Sequence, residues 1–346
     1  MDQGNTAFVL ISAALVLLMT PGLAFFYGGM VKAKSVVSMM MLSFGSLGLI
    51  AVLWVLYGYA IAFSNGGTST FVGIDGWFGI DTSFLGLSAQ VADAAKPAGA
   101  YPSLAFVAFQ ATFAIITVAL ISGAIADRAK FGAWMVFAGL WATIVYFPVA
   151  NWVFNFTLKD GKVVDGGWIV HDLGVIDFAG GTAVHINAGA AGLALAIILG
   201  KRFGFSKGIN QPHNVPLTLL GVALLWFGWF GFNAGSEVAA DGLASLAFIN
   251  TIGAPAAAML GWILIEKIKH GKATSIGAGS GAVAGLVAVT PACASLDPVW
   301  ALLLGLVAGA LCALAIDLKF ALGFDDSLDV VGIHLVGRSE ERRVGK

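Results

Sequence analysis

Long apolar runs, broken by short polar connections, dominate this chain. Ten stand out, at residues 7–30, 36–63, 102–126, 132–155, 178–200, 216–236, 244–268, 275–294, 299–320 and 327–337. The first nine reach the ~20 residues a helix needs to cross a ~30 Å hydrocarbon layer. They predict nine complete spans and the start of a tenth. Small residues recur at close-packing spacings, as in Gly305-Leu-Val-Ala-Gly309, and fit helix contact in lipid. The longest connection, residues 64–100, is rich in Gly, Ser and Thr, and a second, 156–176, carries the turn residues Asp160, Gly161, Asp165, Gly166 and Gly167.

The tenth run starts at Ser327 and soon meets six charges in the ten residues 337–346. About ten apolar residues do not cross a bilayer. Either a short polar tail follows nine spans, or a tenth helix is cut short by a foreign end. The second reading is preferred: residues 1–336 form one membrane domain, incomplete at its C-terminal side, and 337–346 form a polar tail. The expected fold class is therefore an all-α polytopic membrane protein, truncated within its tenth helix.

Charge orients the bundle. Lys32, Lys34, Arg128, Lys130, Lys201, Arg202, Lys207, Lys267, Lys269, Lys272 and Lys319 fall in alternate connections, against only Lys96, Lys159 and Lys162 in the others. Basic connections stay in the cytoplasm, so the N-terminus is expected outside. Hydrophobic residues make up 59% and charged residues 11% of the chain, against about 25% charged in a soluble domain. A net charge of −1 argues against nucleic acid as a partner. Cys293 and Cys312 sit in separate apolar contexts and read as small buried hydrophobes. The N-terminus lacks the basic start of a secretory signal.

Two histidines carry the candidate chemistry. Each lies in an apolar stretch eight residues after an aspartate: Asp177 before His185, and Asp326 before His334. An ionisable group at membrane depth marks a functional site facing the protein interior. With helices beginning at the aspartates, each histidine lies about 12 Å deep at 1.5 Å per residue. Spans five and ten start from opposite faces, so both imidazoles approach mid-membrane on antiparallel helices. That relation is the one expected of inverted repeats, spans one to five against six to ten. Asp177 and Asp326 then read as first-turn carboxylates that cap helix N-termini.

Two imidazoles alone leave a metal under-coordinated, so no metal is expected. No nucleophile motif lies near either, which disfavours hydrolysis. A hydrogen-bonded imidazole pair lining a narrow pore for a small polar solute remains. Aromatics form a second constellation: Phe109 and Phe113, Trp152 and Phe154, and Phe232 with Ser236. They read either as packing or as a cation trap at an outer mouth, where ring faces attract a desolvated cation by about 0.5–2 kcal/mol.

Several stretches together resemble the ammonium transporter family (Amt/Mep/Rh), its bacterial Amt members most. They are Pro21-Gly-Leu-Ala-Phe-Phe-Tyr-Gly-Gly29, Phe106-Val-Ala-Phe-Gln-Ala-Thr-Phe113, Asp177-Phe-Ala-Gly-Gly-Thr-Ala-Val-His-Ile-Asn187, Gly228-Trp-Phe-Gly-Phe-Asn-Ala-Gly-Ser236, Gly281-Ala-Val-Ala-Gly-Leu-Val-Ala-Val-Thr-Pro291 and Asp329-Val-Val-Gly-Ile-His334. The resemblance implies an eleven-helix protomer in a homotrimer, with one path through each subunit. It implies His185 and His334 as twin pore histidines, Phe113 and Phe232 as an aromatic gate, and Phe109, Phe113 and Ser236 at an outer ammonium site. It also implies Asp177 as a support beneath that site. The family's usual tryptophan wall falls at Phe154 here, with Trp152 two residues before it.

The function expected on this basis is ammonium or ammonia passage across the cytoplasmic membrane, by cation recruitment, deprotonation and transit past the histidines. Alternatives are a Rh-like gas channel, an ammonium sensor, or a membrane metalloenzyme using the two histidines. No nucleotide-binding motif is present, and no cofactor is expected. A regulatory protein of the PII class is the expected partner of connection 201–214, where Lys201, Arg202 and Lys207 lie; lipid headgroups suit the same charges.

Overall fold

The computed structural model describes residues 1–66, 68–94, 99–159, 162–205 and 212–337. Lys96, Lys207 and the polar tail 338–346 lie outside the described residues. Eight helices among the described residues are long and apolar enough to cross a membrane. They are α1 (Gln3–Met30), α2 (Ala33–Ala62), α3 (Ser103–Ile125), α4 (Phe131–Phe154), α5 (Gly181–Leu199), α6 (Val215–Glu237), α7 (Gly242–His270) and α9 (Pro298–Leu322). Between the last two lies α8 (Ser275–Val289), and α10 (Val331–Val336) opens the tenth.

Three details differ from the sequence expectation. First, α8 has 15 residues rather than the twenty of run 275–294. Its ~22 Å length at 1.5 Å per residue falls short of the ~30 Å core. Pro291 has no N–H to continue the ladder, so the chain turns at Thr290. The Pro291 carbonyl instead accepts the Phe178 N–H at 3.2 Å.

Second, spans five and ten become helical at Gly181 and Val331, later than their apolar runs begin. The residues between each aspartate and its helix form a turn, with Gly180 at φ +111° and Asp329 at φ +61°. Glycine reaches such a φ without steric cost, and aspartate tolerates it better than most residues. Asp177 and Asp326 therefore precede the first helical turn instead of belonging to it.

Third, two connections outside the helical bundle carry short strands. Connection 64–100 holds an antiparallel hairpin of β1 (Phe71–Ile74) and β2 (Phe78–Asp81), in register Val72 to Ile80, and a short helix Ser88–Ala94. Connection 156–176 holds a second hairpin, β3 (Phe156–Lys159) and β4 (Lys162–Gly166). Strands of four or five residues are too brief to show alternation amid glycines.

The bundle is built for lipid. Ile198 is 77% exposed, whereas Asn233, Thr251 and Thr290 are fully buried. The most extensive helix–helix contacts are those of α1 with α6 and of α7 with α9. Small residues set both distances. A Cβ on Gly221 would stand 2.2 Å from the Phe26 backbone nitrogen, and one on Gly309 would stand 2.0 Å from the Ala258 carbonyl oxygen. Such close approach gains dispersion energy where lipid offers no hydrophobic drive.

The basic connections meet at one end. Lys32, Arg128, Lys201 and Arg202 line a common cavity. Arg128 donates to the carbonyls of Gly200, Ala124 and Asp325. Arg202 grips the buried Asp325 carboxylate, Nη2 to Oδ1 at 2.8 Å and Nε to Oδ2 at 2.9 Å. Burial alone would raise the Asp325 pKa, but the Arg202 bonds and the two guanidinium charges hold it below its usual value. This clamp ties together the connections that follow α3, α5 and α9.

Candidate functional site

The two histidines meet in the bundle. His185 and His334 are 1% and 4% exposed. Their Nδ1 atoms lie 3.0 Å apart, with ring planes only 14° from parallel. One ring must donate and the other accept across that contact. Each histidine stands in a π-helical turn that opens its helix, a local geometry frequent at functional sites. Beside the rings lies a narrow gap of about 10 Å³, close to the ≳10–15 Å³ that one water needs. Apolar side chains complete its wall, among them Leu23, Phe26, Ile116 and Leu225.

Backbone capping holds these turns in place. The Asp177 carboxylate accepts four N–H groups: Gly180 at 3.0 Å and Gly181 at 2.5 Å on Oδ1, Thr182 at 2.7 Å and Ala183 at 3.2 Å on Oδ2. Those are the donors a helix start leaves unmet. The Asp326 carboxylate accepts the N–H groups of Val330 at 3.1 Å and Val331 at 2.7 Å. The buried Lys319 ammonium crosses this corner, donating to the Asp326 carbonyl at 3.1 Å and pairing with the Asp329 carboxylate.

An aromatic stack closes the gap on one side. Phe113 and Phe232 lie face to face at 4.3 Å, and Phe232 stands 5.8 Å from the His185 ring. Phe109 meets Phe113 edge-on at 4.8 Å, and Phe154 meets it edge-on at 6.2 Å. Phe109, Phe113 and Phe232 are at most 1% exposed. Ser236, one turn beyond Phe232, donates its hydroxyl to the Phe232 carbonyl at 2.7 Å, so its oxygen keeps acceptor capacity.

Trp152 does not join this stack. Its indole N–H donates to the Trp77 carbonyl, and its ring packs on Trp168 at 5.6 Å. Trp168 in turn stacks on Trp77 at 5.3 Å. Residues 152 and 154 stand about 200° apart around a helix at 3.6 residues per turn, so only one can face Phe113. Trp229 is the neighbour that sequence reasoning passed over. Its ring lies against His185 at 5.4 Å with planes 12° apart. The available signal was its i, i+3 relation to Phe232, which puts both on one face of α6.

Among the described residues, no group of three His, Cys, Asp or Glu side chains is placed to hold a metal ion. The site offers a pair of imidazoles at depth, a flat aromatic barrier beside them, and a hydroxyl acceptor beyond the barrier. It suits a small polar molecule more than a chemical transformation.

Known proteins resemble this chain over nearly its whole length. The Ammonium Transporter Family profile matches residues 7–338. An ammonium transporter of Mycobacterium tuberculosis is 60% identical over 344 residues, covering 97% of this chain and 72% of its own length. One from Bacillus subtilis is 47% identical over 338 residues, covering 97% and 78%. The crystal structure of Saccharomyces cerevisiae Mep2 superposes with TM-score 0.86 at 36% identity, over 99% of this chain and 74% of that one. With the family profile spanning nearly the whole sequence and the fold shared with a solved member, the chain belongs to the ammonium transporter family, multi-pass membrane transporters rather than enzymes.

Proposed function

We propose that this protein moves ammonium across the cytoplasmic membrane through a path centred on His185 and His334. The observation that carries the reading is the buried imidazole pair, Nδ1 to Nδ1 at 3.0 Å, directly beneath the Phe113–Phe232 stack. A cation is drawn to the outer rings and the Ser236 oxygen and crosses as ammonia between the phenylalanines, while the proton it gives up is relayed separately along the imidazole pair, so that one net charge moves per molecule. The imidazoles then replace water as hydrogen-bond partners in the narrow gap. Phe154, not Trp152, is the wall of the outer site in this reading, because it faces Phe113. Asp177 and Asp326 act as structural supports.

The basic face is cytoplasmic and the N-terminus outside, on the asymmetry of the connections. The working unit is a homotrimer in the lipid bilayer. A PII-class regulator docks on connection 201–214, where Lys201 and Arg202 lie. The 60% identity to ammonium transporters favours transport over sensing, although the structure of a "Sensor Amt Protein", at 28% identity, shares the fold with TM-score 0.84.

The test is ammonium-driven current in proteoliposomes for His185→Ala and His334→Ala. Each change alters or abolishes conduction while the protein still assembles. Parent-like transport in the double variant overturns the assignment.

A further inference from the structure

We propose that Thr290 is a positioning residue of the conduction path, acting through Trp229 on the plane of the His185 ring. The inference rests on the histidine-pair reading. Two sequence stretches, Gly228 to Ser236 and Gly281 to Pro291, carry Trp229, Asn233 and Thr290. Of these stretches, only Phe232 and Ser236 enter the pathway described above.

The geometry forms a continuous chain. His185 lies nearly parallel to the Trp229 indole, 12° between planes at 5.4 Å. The same indole meets Phe232 at 5.4 Å, so one ring touches both the barrier and the imidazole pair. A flat wall orients its neighbour only when its own rotation is fixed. Here the indole N–H donates to the Thr290 Oγ1 at 2.9 Å. That hydroxyl is anchored in turn, 2.7 Å from the Leu286 carbonyl and 3.2 Å from the Asn233 Oδ1. The Asn233 Nδ2 donates to the Thr251 Oγ1 at 2.9 Å, and the Thr251 hydroxyl donates to the Ala247 carbonyl at 2.7 Å.

Asn233, Thr251 and Thr290 are fully buried, and Trp229 is 2% exposed. A buried polar chain with its members paired admits few alternative rotamers, because any rotation strands a donor. The chain runs from α7 through α6 to the end of α8 and back to the ring against His185. Thr290 is its pivot, since it alone receives the indole proton. The constraint matters because the imidazole contact is directional. A tilt of either ring lengthens the Nδ1 to Nδ1 bond and bends it out of line.

The experiment is ammonium current against concentration and pH, in liposomes containing the full chain. Thr290→Val keeps the shape of the side chain and removes the acceptor. It lowers the saturating current by about ten-fold, less than the ~100-fold that a misplacement of ~1 Å can cost because the ring tilts rather than shifts, and it changes the pH profile. Half-saturation stays at the parent value, because the outer mouth is untouched. Thr290→Ser keeps the hydroxyl and restores the parent profile. In a Trp229→Phe background, which lacks the N–H, Thr290→Val has no further effect.

Parent kinetics in folded Thr290→Val, or an undiminished effect in the Trp229→Phe background, overturns the proposal. If Thr290→Val does not accumulate as folded protein, Trp229→Phe alone carries the test, and an unaltered profile there overturns it equally. The His185→Ala variant separates the two levels. Normal conduction in it removes the histidine pathway itself, whereas altered conduction with parent kinetics in Thr290→Val removes only the role of Thr290.

Discussion

Phe154 and Trp152 differ by two residues, yet they face different neighbourhoods. Phe154 stands edge-on to Phe113, while Trp152 joins Trp77 and Trp168 outside the stack. A phenyl ring is a weaker cation partner than an indole, by a margin within the roughly 0.5–1 kcal/mol typical of exposed sites. Phe154→Trp is therefore expected to lower the half-saturating ammonium concentration, by no more than about five-fold. The saturating rate stays unchanged, because recruitment acts on occupancy and not on passage. Trp152→Phe is expected to leave uptake at limiting ammonium unaltered. Uptake assays on both variants check this, and a loss confined to Trp152→Phe would transfer the recruiting wall to that residue. The sequence presented both aromatics and left the choice open. Side-chain direction on the last turn of α4 sets Phe154 against Phe113 and Trp152 against Trp168.

Asp177 meets four N–H groups at the opening of α5. Asp177→Ala leaves those donors bare inside the protein, at a cost of several kcal/mol when each unmet buried group costs about 1–3 kcal/mol. It is expected to lower thermal stability or assembly more than His185→Ala does, as read by thermal unfolding in detergent. Intact stability with loss of ammonium binding alone would instead make Asp177 a substrate ligand.

Helix contacts give an independent prediction. On Gly309, a Cβ would overlap the Ala258 carbonyl. Gly309→Val is expected to force α7 and α9 apart and destabilise the bundle by about 1–3 kcal/mol. An unchanged unfolding temperature would show that the pair relaxes freely. The spans were legible because each must hold about 20 apolar residues to cross lipid. The early end of α8 and the late starts of α5 and α10 were not. They depend on turns at Pro291, Gly180 and Asp329, of which Pro291 is held by the distant Phe178 N–H, Asp329 by Lys319 and Gly180 by the nearby Asp177 carboxylate.

Across the whole protein, the basic face is tied together by Asp325, Arg202 and Arg128. The Asp325 carboxyl titrates below its unfolded value. Its contribution is thus fully present above the unfolded carboxyl pKa, about 3.9, and is lost as pH falls through the lower folded value. Across neutral pH the clamp is constant. Asp325→Asn is expected to cost about 2 kcal/mol at pH 7, the scale of bonds to a charged group. It should also remove part of the parent's loss of stability in strong acid. Unfolding temperatures of both proteins from pH 7 down to about pH 2, through the window below the unfolded carboxyl pKa, test this. Parallel curves would show that Asp325 does not carry the acid response.

Hydrophobic length, the one-sided spread of Lys and Arg, and paired histidines in apolar stretches were all present in the order of residues. Each reflects a local constraint, since lipid demands apolar runs, charge avoids lipid, and an ionisable group at depth is tolerated only for a purpose. Which groups touch was decided by packing. The 3.0 Å imidazole contact needs α5 and α10 brought together from residues 149 apart. The Trp229 ring against His185 and the Thr290 hydroxyl beneath it need α6 and α8 as well. The hairpins β1–β2 and β3–β4 pair strands whose four or five residues carry almost no periodic signal. Sequence patterns report the solvent each segment must meet. Only the assembled bundle fixes which side chains face one another, because that depends on the crossing of helices whose lipid-facing and protein-facing sides are almost equally apolar.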